Sequence, residues 1–432
     1  MVKKVPLQIR RISATVCFAV LFIIIVSKIS DIFERKYSYS KYYDFYQQKQ
    51  DFDVLFLGTS HVLNAVYPME LWRDHGIISY NLANHSENIC TNYWQLRNAL
   101  DHTKPKAVVI DLYAVDGDDK VNDRYLHNFT DEVPFSLTKM KMVQDLLEPE
   151  KRPEYLFNFS LYHSRWEELG LEDLKPSTGL EKGAELRDDI AVNEPPTLIP
   201  KEEYDPTDRL NKQYLQKIID LCKEQNIAIV LMYLPYTMPE GDQLVANWGY
   251  AIAEKNEIPY LNFVYEDLAL NYATDCADIA HHLNASGARK VTDYLGTFLT
   301  QNYDIPDRRQ DPAYTFWQQD YREYREMINE WINSISNLYS YLVMLNDRDL
   351  SVRIYLSEDS FIYENSEIME LIENIQVFGS VEFIKASNEE ITSEVIKIEV
   401  SEVETGNIVG TRLFTSEEVD QIQISSYKDE NT

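Results

Sequence analysis

The sequence predicts an α/β protein, a doubly wound parallel sheet with helices on both faces, followed by a small C-terminal α+β appendage. Three observations carry this. Short apolar runs recur at Asp53–Leu57, Ile77–Leu82, Lys106–Tyr113, Ile227–Leu234 and Pro259–Phe263, and continuous rather than alternating apolar runs mark strands buried on both faces. Stretches of helical periodicity separate them, at Tyr67–His75, Ile89–Leu100, Leu210–Gln225, Gln243–Lys255 and Ala285–Leu299. Strands alternating with helices imply parallel pairing through right-handed crossovers. After Asn302 the rhythm changes. An aromatic, charged helix over Tyr314–Leu338 leads to a strand within Leu342–Leu356, a helix over Ser366–Ile375, and a hairpin over Val395–Phe414 turning near Thr405-Gly406.

Size and composition bound the function. With 432 residues and 44% hydrophobic content, the chain can bury a substantial core and divide into two or three domains. A formal charge of −30 argues against nucleic acid as a partner, because phosphate binding needs clustered Lys and Arg. Thirty Tyr against six Trp gives polar-tipped aromatic surface, suited to carbohydrate and equally to ordinary cores. Cys17, Cys90, Cys222 and Cys276 have neither metal-like spacing nor the pattern of a disulfide framework. No cofactor is indicated.

The first 11 residues carry Lys3, Lys4, Arg10 and Arg11, and an apolar run follows from Ile12 to Ile29. That length is near the minimum for a spanning helix. It is long for a signal peptide, and no small-x-small cleavage site precedes Asp31. The expectation is a cytoplasmic tail over 1–11, a single-pass transmembrane anchor over 12–30 and an extracytoplasmic main body. Residues 31–52, rich in Tyr, read as a juxtamembrane stalk. The α/β domain spans 53–303, interrupted by an insertion over 116–207 that reads as a lid or a peripheral excursion. A helical connector over 304–338 and a small α+β domain with an acidic tail over 339–432 complete the organisation.

Chemistry concentrates in two stretches. The first is Gly58-Thr59-Ser60-His61, directly after the first strand. Gly58 allows a sharp exit from the strand, and Ser60 falls at the carboxyl edge of the sheet, where open α/β folds build their sites. Ser60 could attack an acyl carbon if a base were near; Thr59 or Ser60 could equally serve only to cap the next helix. The second stretch, Asp275-Cys276-Ala277-Asp278-Ile279-Ala280-His281-His282-Leu283-Asn284-Ala285-Ser286-Gly287, follows the fifth strand and returns to the same edge. It sets a carboxylate three and four residues before two histidines. One of these could deprotonate Ser60 while Asp278 holds the other ring nitrogen. The competing reading is a cap by Asn284 or Ser286 beside surface histidines.

Gly-Thr-Ser-His after strand one, with Asp-x-x-His near the end of the α/β region, resembles the SGNH/GDSL hydrolases over roughly residues 50–300. The Leu283–Gly296 block, Tyr303–Arg309 and Asn81-Leu82-Ala83-Asn84-His85 are similar to membrane-anchored SGNH-like proteins of Gram-positive bacteria. The resemblance implies an SGNH/flavodoxin-like sheet with Ser60 as nucleophile and Asp278 as the triad acid. Strict Asp-x-x-His spacing selects His281 as the base; the Leu-Asn that follows selects His282, which is preferred. Asp275 is a fallback acid. For the oxyanion hole the family adds a glycine amide after strand two and an asparagine after strand three. Here the amides of Ser60, Ala83 or Ser86 and the side chain of Asn84 stand in, and no Gly-x-Asn-Asp follows Asp111-Leu112-Tyr113. His61 and His85 are second-tier candidates for substrate contact.

The function expected from this resemblance is an extracytoplasmic serine esterase or O-acyltransferase. It would work through an acyl-enzyme on an acylated cell-envelope polysaccharide or another acyl ester, with a membrane acyl-donor protein as a possible partner. The alternative is a non-catalytic SGNH scaffold for envelope binding or assembly. A metal-dependent phosphoesterase built on Asp278, His281 and His282 would need further ligands at the strand ends, and the sequence does not supply them.

Overall fold

Five parallel strands form the central sheet: β1 (Val54–Leu57), β2 (Ser79–Asn81), β3 (Ala107–Asp111), β5 (Ala228–Tyr233) and β6 (Tyr260–Asn262), with β4 (Ala191–Val192) lying outside it. Their order is β2-β1-β3-β5-β6. This is the flavodoxin-type arrangement, and its switch point lies between β1 and β3. The computed structural model describes residues 7–33, 41–117, 123–157, 159–170, 179–279, 282–387, 391–420 and 425–426.

The strands are short because they are buried throughout. All residues of β1, β2 and β3 are inaccessible, and β5 exposes only its first residue in part. In register, Val54, Leu55, Phe56 and Leu57 face Ala107, Val108, Val109 and Ile110 of β3. Helix Ala285–Asn302 closes the domain with a stripe of Ala285, Ala288, Val291, Leu295 and Leu299 at helical spacing. Of these, Val291, Leu295 and Leu299 pack with Val54, Phe56, Val230 and Leu261 in one core. Burying each of those three side chains stabilises by roughly 1.5–3 kcal/mol. Helix Pro68–His75 runs beside it, and the Tyr67 amide donates to Thr292 Oγ1 at 3.0 Å.

The C-terminal part folds into a mixed four-stranded sheet of β7 (Leu350–Leu356), β8 (Ser380–Lys385), β9 (Val395–Glu402) and β10 (Ile408–Thr415), in the order β10-β9-β7-β8. Leu350, Val352, Ile354 and Leu356 alternate with less buried neighbours, as do Ile396, Ile398 and Val400. The β9–β10 hairpin is the expected one. β8 pairs parallel with β7 and was not read from the sequence. The expected helix Tyr314–Leu338 is two helices. Thr315–Ser334 stops, and Asn337 caps a new buried helix, Leu338–Leu345, by accepting from the amides of Tyr339 and Ser340. In the acidic tail, Ser416–Asp420 forms a helical turn, and β11 (Ser425–Ser426) pairs parallel with β4.

Both sheets belong to one compact unit of residues 50–96, 103–121 and 180–432. The second unit draws on residues 1–49, 97–102 and 122–179. In it a single helix, Leu7–Phe33, packs on Phe159–Tyr162, and Arg165 donates to the Phe33 carbonyl at 2.9 Å. Helix Lys41–Gln47 buries Tyr42 and Phe45, and Glu132 accepts from the amides of Tyr42 and Tyr43 at 2.8 and 3.0 Å. Residues 31–49 of the expected stalk (31–52) and residues 122–179 of the insertion (116–207) therefore share a unit, whereas residues 50–52, 116–121 and 180–207 go with the central sheet. Residues 34–40 lie outside the described residues. The expected anchor (12–30) lies within Leu7–Phe33, where the side chains at 23, 24, 27, 28 and 30 are outside the description. Among the described residues no helix is long and apolar enough to cross a membrane.

Candidate active site

The site is built where β1 ends. A Cβ on Gly58 would stand 2.5 Å from Val62 Cγ2 and 3.2 Å from Asp111 Cβ, so the turn out of the strand requires glycine. Helix Ser60–Ala65 starts at once. Its cap is Thr59, whose Oγ1 accepts from the His61 amide at 3.3 Å. Thr59 therefore takes the capping role that the sequence left open between two residues. The Ser60 hydroxyl is turned to a different partner: Ser60 Oγ lies 2.8 Å from His282 Nε2.

His282 is held from behind. Its Nδ1 lies 2.6 Å from Asp278 Oδ2, and its backbone amide donates to Asp278 Oδ1 at 3.2 Å. The Nδ1 bond sets the ring so that Nε2 faces the serine. The local fold explains the spacing. The Asn284 amide donates to the Asp275 carbonyl at 3.0 Å and the Ala277 amide to the His282 carbonyl at 2.8 Å. Cys276 bridges Leu283 between these bonds. Asp278 and His282 thus flank the tip of a tight hairpin. Asn284, at its base, caps the closing helix by accepting from the amides of Ser286 and Gly287. Gly287 is required there, since a Cβ would stand 2.5 Å from the Asp275 carbonyl oxygen. In this stretch Asn284 takes the capping role, and His282 is the histidine that meets Ser60.

Two residues of the site carry no local sequence signal. Arg187, in the charged end of the insertion, donates to Asp278 Oδ2 at 2.8 Å and also pairs with Asp189. Neighbouring carboxylates raise the Arg187 pKa against the opposing effect of burial. Asn193 Nδ2 donates to the Asp278 carbonyl at 2.9 Å. Neither sits in a motif, and only the chain's return past the sheet edge brings them to the tip.

The other candidates fall as follows. His281 lies outside the described residues. Asp275 is fully buried and bonded to Lys290, Ser286, Asn374 and the Asn271 amide, a set far from the role of fallback acid. His61 is buried, stacks on Tyr113 with ring centroids 3.8 Å apart, and meets the His282 ring edge-on at 5.5 Å. His85 pairs with Glu185 at 3.0 Å. The Ser60 amide lies in the first turn of its helix, where N–H groups have no intrahelical acceptor. The Ala83 amide donates to Asn81 Oδ1 at 3.1 Å, and the Asn81 amide group ties β2 to the carbonyls of Val62 and Val66. Asn84 Oδ1 accepts from the His85 amide at 2.8 Å, leaving its NH2 end as the possible donor. Ser86 is exposed with φ of 53°. At the end of β3, Asp111 accepts from the amides of Tyr113 and Leu234, each at 3.1 Å, and faces inward.

No family model matches this chain, and no curated protein does. Solved structures do resemble it. One is a protein from Desulfitobacterium hafniense DCB-2 described as a lipolytic protein of the G-D-S-L family. It is 13% identical, with a TM-score of 0.31, over 57% of this chain and 98% of that one. Another, from Bacteroides fragilis, is described as an acylhydrolase, 10% identical with a TM-score of 0.29 over 59% of this chain and 90% of that one. At these identities and scores the likeness carries no argument, and the chemistry rests on the residues described above.

Proposed function

We propose that the protein is a serine esterase or O-acyltransferase that works through an acyl-enzyme on Ser60. The observation that supports this reading most is the chain of contacts from Ser60 Oγ to His282 Nε2, at 2.8 Å, and from His282 Nδ1 to Asp278, at 2.6 Å. In this reading His282 takes the Ser60 proton as Oγ bonds to the acyl carbon, and Asp278 stabilises the imidazolium. Collapse of the tetrahedral intermediate breaks the ester C–O bond, and His282 returns the proton to the leaving alcohol. Water then attacks in hydrolysis, or a second hydroxyl in transfer. The Ser60 amide and the Asn84 NH2 group are the donors proposed for the developing oxyanion.

The substrate proposed is an acylated cell-envelope carbohydrate, and the location extracytoplasmic, with the apolar segment over 12–30 as anchor and a membrane protein as acyl donor. These extend the sequence resemblance. Cell fractionation tests the location, and recovery of the full chain in the soluble cytoplasmic fraction would sink it.

A second reading, a non-catalytic scaffold, is favoured by one observation. The positions that serve the oxyanion after strands two and three are engaged otherwise, with the Ala83 amide on Asn81 and Asp111 on backbone amides. A fluorophosphonate probe separates the two readings. Labelling of the folded protein that disappears in Ser60→Ala, together with hydrolysis of p-nitrophenyl acetate lost in the same variant, is expected of the enzyme. Absence of labelling, with Ser60→Ala matching the parent, means the scaffold.

A further inference from the structure

We propose that the C-terminal α+β layer positions the Asp278–His282 tip, with Asn374 as the positioning residue that grips the base of its hairpin. The inference rests on reading Ser60, His282 and Asp278 as a triad and goes beyond it, because it gives the appended sheet a role in the reaction.

Asn374 is the penultimate residue of helix Ser366–Ile375, which is capped by Asn365. Its side chain is driven into the root of the hairpin. Nδ2 donates towards Asp275 Oδ1 at 2.8 Å, Ser286 Oγ at 2.9 Å and Thr274 Oγ1 at 3.1 Å, and Oδ1 accepts from Lys290 Nζ at 2.6 Å. Asn346, after helix Leu338–Leu345, adds a bond from its Nδ2 to Ser286 Oγ at 2.8 Å. All these residues are buried.

The network is complete, and this completeness makes it a fixture. Lys290 uses its three donors on the Ala269 carbonyl, Asp275 and Asn374. Asp275 accepts from Ser286 and Asn374 on one oxygen and from Lys290 and the Asn271 amide on the other. Ser286 donates to Asp275 and accepts from Asn374 and Asn346. A buried network in which every group is satisfied admits one arrangement, and removal of one member leaves the rest unsatisfied. The backbone of Asp275 then carries this constraint outward, because its carbonyl holds the Asn284 amide and the next bonds up the hairpin end at His282 and Asp278. The C-terminal layer thus fixes the root of the element whose tip must meet Ser60 at 2.8 Å.

The test uses the full chain with p-nitrophenyl acetate and a fluorophosphonate, well below the melting temperature of every variant. Asn374→Leu keeps the size and removes the bonds. Displacing a catalytic group by about 1 Å costs on the order of a hundredfold, so kcat and the labelling rate are expected to fall roughly ten- to hundredfold with KM within about threefold. The acid limb of the kcat/KM profile should move to lower pH, because a His282 ring less well held by Asp278 loses a partner for its charged form. Ile372→Ala removes a buried apolar side chain of the same helix and serves as the stability control. It should lower the melting temperature and leave kcat and the acid limb in place. If Asn374→Leu fails to fold, Asn346→Ala carries the test with a loss of about three- to tenfold. Parental kcat and acid limb in the folded Asn variant, or the same changes in Ile372→Ala, overturn the inference. Full activity in Ser60→Ala would instead overturn the triad reading beneath it.

Discussion

Two polar clusters, one just before the closing helix and one within it, treat charge in opposite ways. At the sheet edge, Ser60, His282 and Asp278 form a single file of contacts, and the His282 and Asp278 side chains keep 22% and 31% of their surface in solvent. One to two turns into the helix, Arg289 joins Glu70, Arg73, Arg325 and Asp347 in a cluster with almost none. Arg289 is 1% exposed and Asp347 fully enclosed. Asp347 there meets three guanidinium groups, from Arg73 at 3.0 Å, Arg289 at 3.1 Å and Arg325 at 2.6 Å. It joins the helix Pro68–His75 to the element that enters β7. Burial opposes its charge, but those three cations hold the Asp347 carboxyl well below the usual range. A sparse, wet set of groups can change protonation during a reaction. A dense, dry one can only hold. Stability and activity should therefore separate cleanly between the two.

The largest effect expected is on activity. His282→Ala should cost on the order of 10^4-fold or more in kcat, and the double variant with Ser60→Ala should cost little beyond that, since groups acting as one unit are not additive. Both should melt within a few degrees of the parent in thermal unfolding; a drop above about 10 °C would mean that the triad is structural after all. Asp347→Ala reverses the pattern. It leaves three buried guanidiniums without their shared carboxylate, and breaking such a pair costs about 3–5 kcal/mol. Denaturant titration should show that loss, while fluorophosphonate labelling of the fraction still folded proceeds normally. The ionised Asp347 contributes stability that is present above about pH 4 and is lost as pH falls towards its lowered folded value.

Much of what brings Ser60, His282 and Asp278 together was legible in the sequence, and the reason is local. The five buried runs, the glycine after β1 and the Asp278–His282 spacing are properties of short windows, so periodicity and turn chemistry find them. The choice of His282 over His281 followed from the Leu-Asn that follows it, and the structure brings His282 to Ser60. What escaped is non-local. Arg187 and Asn193 reach Asp278 from 91 and 85 residues away, and Asn374 reaches Asp275 from 99. No window contains both partners. Asp275 looked like a spare acid because it neighbours the motif, whereas its partners Lys290 and Asn374 make it structural. β8 escaped for another reason. It is an edge strand with no buried residue, so it lacks the apolar alternation that betrays a strand. Leu338–Leu345 is buried nearly all round, and a short continuous apolar run does not distinguish helix from strand.

Asp111 sharpens the comparison, as a buried carboxylate bonded to amides rather than cations. Burial pushes its pKa up to about 7, against the pull of the Tyr113 and Leu234 amides. The sign is opposite to that of Asp347. Between about pH 4 and 7 the folded state holds a proton that the unfolded state has released, so stability falls as pH rises through that window, by up to about 1.4 kcal/mol per pH unit. Asp111→Asn keeps a neutral carbonyl group at that place and cannot ionise, so the slope between pH 4 and 7 should flatten. A slope identical to the parent's would assign that titration elsewhere.

The smallest effect expected is at Arg187, where the two kinds of cluster meet. Its guanidinium takes the same Asp278 oxygen that faces His282 Nδ1, so it draws on the charge that would otherwise favour the imidazolium. It also ties the tip to Asp189 and the end of the insertion. Arg187→Met keeps the length of the side chain and removes the charge. If the electrostatic contribution dominates, the acid limb of kcat/KM should move to higher pH, because Asp278 then serves His282 alone. The maximum rate should change less than about threefold, since the partly exposed pair is screened. If tethering dominates, kcat falls about tenfold or more and the limb moves the other way, to lower pH, as in Asn374→Leu. In that case the tip, however wet, depends on a cation for its geometry, and the contrast with the buried cluster is one of solvent exposure alone.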